Sequence, residues 1–405
     1  MTGHVLLDLA EQPPDWLSCP ETCELLRLIH EAGGEGMFVG GCVRDALIGR
    51  TTDDLDLCTD LRPEKVMEAL QEAGHRVIPT GLKHGTVTVL IGHFRYEVTT
   101  LRVDVQTFGR HAEVAFTRDW AEDAQRRDFT MNALYLAGNG DLFDPVGGLD
   151  DLAAGRVRFI GDAHQRIAED RLRILRYFRF LGRYGVAAPD QEALAACRQA
   201  AADLAHLSAE RVSKELLQIL ALDRPATVLE EMQACGVLEV IFKRPVRLHG
   251  VLALLALPLQ TDAVLRLGAV LKSSGADPLE FSRRLRLSRH METRLCAMLD
   301  GGLGATLDEG EQKASLYRLG RTVFTDQSLL AWSETGSDRY AAYVTLAETW
   351  HVPIFPVTGK DLLDLGLPPG PKVGNILAAL EECWIASTFS MDRKALLERV
   401  SSHLI

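Results

Sequence analysis

The sequence predicts an α+β protein in which a mixed domain of short strands and helices is followed by a chain that is helical almost throughout. Three observations carry this expectation. Between about residues 20 and 150, short apolar or alternating runs are separated by turn residues, the texture of a mixed sheet. From about 151 onward Ala, Leu, Arg and Glu recur at helical spacing, with few strand-like runs. The longest apolar run, Val251 to Leu259, ends at polar Gln260 and falls far short of the roughly 18–20 residues a membrane span needs.

Taken in order, a leading helix is expected at Glu21 to Ala32, then strands at Met37-Phe38-Val39 and Leu55 to Cys58. A helix over Pro63 to Ala73 separates these from runs at Arg76-Val77-Ile78, Gly85 to Ile91, Tyr96 to Leu101, Val114 to Phe116 and Asn132 to Leu136. Composition shifts near Asp151, Asp223 and Gly336 divide the chain into expected domains at 1–150, 151–222, 223–336 and 337–405.

The net charge of −12 argues against an indiscriminate binder of nucleic acid, because phosphate affinity depends on clustered Lys and Arg. One segment is basic nonetheless. Asp151 to Gly185 carries eight Arg against four acids, which makes it the first place to look for a phosphate-bearing partner. The eight cysteines are scattered without a C-x-x-C pair, which disfavours a disulfide framework or structural metal. The first Lys or Arg is Arg27, unlike a cleavable leader, and a cytoplasmic protein is expected.

Phe38-Val39-Gly40-Gly41-Cys42-Val43-Arg44-Asp45 places two glycines between a strand and a helix. Such a turn lets backbone N–H groups approach a phosphate, and Arg44 offers a fork for its oxygens. Beyond it, Thr52-Asp53-Asp54-Leu55-Asp56-Leu57 puts Asp54 and Asp56 on one face of an extended strand, about 7 Å apart. Two like charges at that spacing repel each other and are relieved by a cation, which points to a Mg²⁺ site of the two-metal type. Glu97, on another expected strand, is a candidate third carboxylate.

Gly-Gly-x-x-Arg-Asp followed by Asp-Leu-Asp resembles the nucleotidyltransferase superfamily that includes DNA polymerase β. Arg126-Arg127-Asp128-Phe129-Thr130-Met131-Asn132-Ala133-Leu134 is similar to the second motif of class II tRNA nucleotidyltransferases and bacterial poly(A) polymerases. Glu169-Asp170-Arg171-Leu172-Arg173 and Leu207-Ser208-Ala209-Glu210-Arg211-Val212 resemble later motifs of that family, in its order. The resemblance spans residues 38 to about 220. It implies a polymerase-β-like head followed by helical neck, body and tail, with CTP, ATP and the tRNA 3′ end as partners. By the same resemblance Arg127 binds the triphosphate, Asp128 or Asn132 the ribose, and Arg176 and Arg179 continue towards the triphosphate.

Residues 164 to 183 carry Ile167, Leu175, Phe178 and Leu181 at helical spacing, so one helix is expected, with Asp170 and Arg173 on a neighbouring face. A salt-bridged, solvated face has the same pattern. Cytosine and adenine each present an amino donor beside a ring-nitrogen acceptor, so one carboxylate and one guanidinium fit both. Uracil and guanine present the opposite order and leave polar groups unmatched, at about 1–3 kcal/mol each. The resemblance gives this base-reading role to Asp170 and Arg173, with Glu169 steering the pair.

Leu101 to Glu113 lacks sustained periodicity and is expected to be a loop. In CCA-adding relatives a flexible loop here is needed for the switch from C to A, and CC-adding relatives lack most of it, so the segment favours full CCA addition over CC-only, A-only or poly(A) synthesis. Arg283 to Arg289 reads as a basic helical stretch able to meet acceptor-stem phosphates, and Thr358-Gly359-Lys360-Asp361 resembles the family's tail segment. A non-catalytic RNA-binding protein on a decayed head is the reading of a different class, and the presence of both Asp54 and Asp56 speaks against it.

Overall fold

The computed structural model describes residues 3–108, 111–304 and 306–403. The chain separates into two compact units, Met1–Pro245 and Val246–Ile405. Among its described residues the first holds nine strands: β1 (Gly36–Val39), β2 (Leu55–Thr59), β3 (Arg76–Gly81), β4 (Thr86–Ile91), β5 (Phe94–Thr100), β6 (Arg102–Phe108), β7 (His111–Phe116), β8 (Tyr135–Leu136) and β9 (Leu142–Phe143). Seven form one sheet in the order β3-β4-β5-β2-β1-β8-β9, and β6 pairs with β7 apart from it.

Within the seven-stranded sheet only β2 and β5 run parallel. A parallel pair needs a long crossover, and the helix Pro63–Glu72 with the β3–β4 hairpin supplies it. Alternation does the rest. Leu55 and Leu57 on β2, and Tyr96 and Val98 on β5, are buried against Phe38, Leu25 and Ile29, while Asp56 and Glu97 face the other way. Trp16 meets Phe38 edge-on at 4.8 Å between ring centroids, and buried Thr22 shares a 2.8 Å hydrogen bond with the Tyr96 hydroxyl, which gives that polar tip a partner.

Three expected elements of this unit differ. Leu101 to Glu113 is not a loop: β6 and β7 pair antiparallel from Arg102↔Phe116 to Phe108↔His111. Val103, Val105 and Thr107 alternate with period two, a β-branched pattern masked by the polar residues between them. Gly109 and Arg110 lie outside the described residues. The expected strand Asn132 to Leu136 shrinks to Tyr135–Leu136, preceded by a 3₁₀ turn at Thr130–Asn132. The helix expected over 164 to 183 is two, Ala163–Glu169 and Arg173–Tyr184. Asp170 breaks it: its backbone is extended (φ −147°, ψ 106°), and its Oδ1 accepts the Leu172 N–H at 3.1 Å. A short carboxylate that captures a nearby N–H competes with the helical ladder.

Among the described residues the regular elements of the second unit are all helices, from His249–Leu255 to Arg393–His403. Its cores centre on Leu316, Phe324, Tyr340 and Tyr343, and on Leu362, Leu380, Trp384 and Leu396. The basic stretch Arg283 to Arg289 is not one helix: Pro278–Arg284 ends, Arg286 takes φ 51°, and Ser288 caps Arg289–Leu299 through Met291 N–H. Thr358 and Asp361 form a capping box for Gly359–Asp364, and Asp361 also pairs with Arg393 at 2.6 Å. No helix among the described residues is long and apolar enough to cross a membrane.

Candidate active site

The turn after β1 needs glycine at one of its two positions. Gly40 has φ +76°, ψ −124°, which a Cβ would strain. Gly41 starts the helix Gly41–Leu47, and a Cβ there would meet nothing nearer than the Arg44 guanidinium at 3.8 Å, so the turn keeps an open flank.

Asp54 stands one residue before β2, exposed, and Asp56 is half-buried on the strand. Parallel pairing sets Asp56 directly beside Glu97 on β5, with neighbouring strands about 4.8 Å apart. Glu97 is also ion-paired with Arg95 at 2.7 Å. Burial, then the Glu97 charge, push the Asp56 carboxyl up to about 6; Arg127 pulls it back and Asp54 pushes it further up. The cluster therefore holds negative charge short of compensation, a donor set of hard oxygens suited to Mg²⁺. Among the described residues no three His, Cys, Asp or Glu side chains could hold a metal unaided. Mg²⁺ ordinarily draws part of its coordination from water and substrate phosphates.

Behind these carboxylates sits Asp123, whose side chain is wholly buried. It takes Arg126 at 2.7 Å, Arg127 at 2.9 Å, the Tyr135 hydroxyl at 2.9 Å and the Arg102 N–H at 3.2 Å. Burial opposes its charge, but Arg127 and Arg126 outweigh it and hold the carboxyl down to about 2. Arg127 reaches the Cys58 Sγ as well, at 3.2 Å.

A second chain of contacts links the remaining head motifs to the helix Arg173–Tyr184. The Arg44 guanidinium donates to Asn132 Oδ1 and, at 3.1 Å, to Asp45, and lies 4.2 Å from the Tyr184 ring centroid. Asn132 Nδ2 donates to Asp128 at 2.9 Å, and Asp128 takes Arg176 at 2.5 Å. Arg44, expected to offer a fork for phosphate oxygens, is packed inside at 7% side-chain exposure. Arg179 pairs with Glu215 at 2.7 Å.

Glu169 accepts from Arg173 at 2.6 Å, and Arg173 also donates to the Arg126 and Arg166 carbonyls at 3.1 and 2.9 Å. Asp170 does not bond Arg173's side chain; Arg211 holds it at 2.7 Å. The structure thus adds residues not singled out as site residues in the sequence. Arg211 stood inside a quoted motif with no partner to suggest its role, and Asp123 precedes Arg127 by one helical turn, a pairing signal visible in the sequence.

The family described as "Poly A polymerase head domain" matches residues 37–158, and that described as "Probable RNA and SrmB-binding site of polymerase A" matches 188–246. CCA tRNA nucleotidyltransferase 1, mitochondrial, of Danio rerio is 36% identical over 90% of this chain and 86% of its own length. The chain belongs to the CCA tRNA nucleotidyltransferase family. The CCA-adding enzyme of Enterococcus faecalis is 31% identical over 93% of this nucleotidyltransferase and 94% of its own length. The Bacillus stearothermophilus CCA-adding enzyme, solved in complex with CTP, superposes with a TM-score of 0.73 at 26% identity, covering 95% of this chain and 98% of that one.

Proposed function

We infer that this protein adds C, C and A to the 3′ end of tRNA from CTP and ATP, without a template and with release of pyrophosphate. Support comes from whole-length relatives bearing that name and a solved relative holding CTP. The observation that carries the base-selecting part is the paired arrangement at the helix break. Glu169 pairs with Arg173 and Arg211 with Asp170, so the motif's acceptor and donor are each held by a partner outside the pair and do not neutralise each other. They suit the amino group and ring nitrogen shared by cytosine and adenine.

In the reaction the tRNA 3′-oxygen forms a bond to the α-phosphorus as the bond to the bridging oxygen of the pyrophosphate breaks. The 3′-hydroxyl proton leaves to solvent or to a carboxylate at the head. Asp54 and Asp56, with Glu97 beside them, would hold Mg²⁺, which supplies Lewis-acid relief of charge on the phosphates. The Gly40-Gly41 turn leaves room for the triphosphate. Asp128 and Asn132, tied to Arg176 and Arg44, orient the ribose. Arg127, Arg176 and Arg179 set positive charge along its path, each braced by a carboxylate of the protein.

The test is direct. The protein is incubated with tRNA ending at its discriminator base and each labelled nucleotide, and the product is sequenced. A CCA end is expected. A run of adenosines, a product stopped at CC, or no extension at all would replace this reading with poly(A) synthesis, a partial activity, or RNA binding alone.

A further inference from the structure

Within the first unit, a cavity of about 810 Å³ is lined by Arg50, Arg179, Arg183 and Arg224, with Gln218 and Asp223 among its other walls. Four guanidiniums face one lining carboxylate, in a protein whose net charge is −12. Clustering cations is unfavourable unless something anionic lies among them. Among the described residues, protein carboxylates answer only two: Arg179 pairs with Glu215 at 2.7 Å and Arg183 with Asp45 at 3.4 Å. Among the described residues the Arg50 guanidinium donates only to the Arg183 carbonyl, at 3.4 Å, and packs over the Tyr184 ring at 5.3 Å from its centroid. Arg224 is exposed and makes no hydrogen bond or ion pair among the described residues.

We propose that Arg50, Arg183 and Arg224 of this cavity bind the phosphodiester backbone of the RNA substrate, apart from the residues that select the nucleotide, with Arg179 on the wall it shares with the triphosphate path; the proposal rests on the reading of the protein as a tRNA-extending enzyme. Guanidinium forks match phosphate oxygens, and a volume many times that of an ordered water suits several phosphates rather than one small ion. Position also separates it from the base reader. Arg173 opens the helix Arg173–Tyr184 and Arg183 lies near its end, about 15 Å away at the helical rise. The walls come from both matched segments: Arg50 lies within 37–158, and Gln218, Asp223 and Arg224 lie within the 188–246 segment named for RNA binding.

The experiment uses the full chain, Arg224→Gln, and the double variant Arg50→Gln/Arg224→Gln. Binding of a tRNA transcript lacking CCA is measured without nucleotide at several salt concentrations, and the KM for CTP is measured at saturating tRNA. Arg224→Gln touches no partner in the fold, so it reads the cavity even if the double variant folds poorly. The expected result is roughly 3- to 10-fold weaker tRNA binding for Arg224→Gln and a salt slope smaller by about one, with a further drop in the double variant. The KM for CTP should stay within about twofold. An unchanged tRNA affinity with a raised KM for CTP would assign the cavity to the triphosphate and overturn the proposal, as would no change in either. Should the wild type extend tRNA with anything other than CCA, the inferred activity falls, yet the nucleotide-free binding series still decides the cavity.

Discussion

The carboxylate of Asp170 is held at 2.7 Å by Arg211, a residue 41 positions away, and not by its neighbour Arg173. The acceptor proposed to read the base is therefore positioned by a helix, Ala209–Leu220, that carries no part of the Glu169 motif.

Asp170→Ala removes the acceptor for the amino group of cytosine or adenine, so the ratio of kcat/KM for CTP over UTP should fall at least tenfold. Arg211→Ala should lower the same ratio by several-fold, since the acceptor loses its brace, and Arg211→Lys should restore part of it. An unchanged ratio in both alanine variants, with activity merely reduced, would leave the helix break a structural feature and place base choice elsewhere.

Asp54→Ala and Asp56→Ala should each abolish incorporation of both nucleotides while circular dichroism and tRNA affinity stay near wild type. Neither side chain packs in the core. Turnover above about a tenth of wild type in either variant would take that residue out of the metal-holding role, since two-metal catalysis contributes far more than tenfold.

The β6–β7 hairpin should matter for A more than for C. With the segment 104–110 replaced by a short Gly-Ser linker, both cytidines should still be added and the product should stop at CC, read on a sequencing gel. Equal loss of both nucleotides would instead mark the hairpin as part of the catalytic scaffold.

Asp123 should govern stability in acid. Its carboxyl is depressed from 3.8 to about 2, so its contribution is present in full above about pH 4 and is lost as pH falls through about 2, roughly 2 kcal/mol across that window. Asp123→Asn leaves Arg126 and Arg127 without their shared partner and should cost roughly 3 kcal/mol at neutral pH. Urea unfolding at pH 7 and pH 3 checks both; a variant as stable as wild type at pH 7 would contradict the account.

Much of the head was legible because its signals are local. Alternation of Leu55, Asp56 and Leu57 marked the strand that carries Asp56, and the glycine pair marked the turn. The break at Asp170 was hidden because Ile167, Leu175, Phe178 and Leu181 continue a helical rhythm across it, while the interruption comes from one side chain capturing a backbone N–H. The burial of Arg44 was hidden for a different reason: its partner Asn132 lies 88 residues on and its stacking ring Tyr184 farther still. Such long-range contacts leave no periodic trace.

The parallel register of β2 and β5 has a consequence for how the enzyme can fail. Asp56 and Glu97 owe their adjacency to main-chain pairing and not to rotamers, and a slip of one residue would turn Glu97 into the core and Val98 out to the solvent. If these two carboxylates serve catalysis as proposed, the same ladder that closes the sheet also assembles the site, so a chain mispaired here would lose its proposed metal-holding face together with its core.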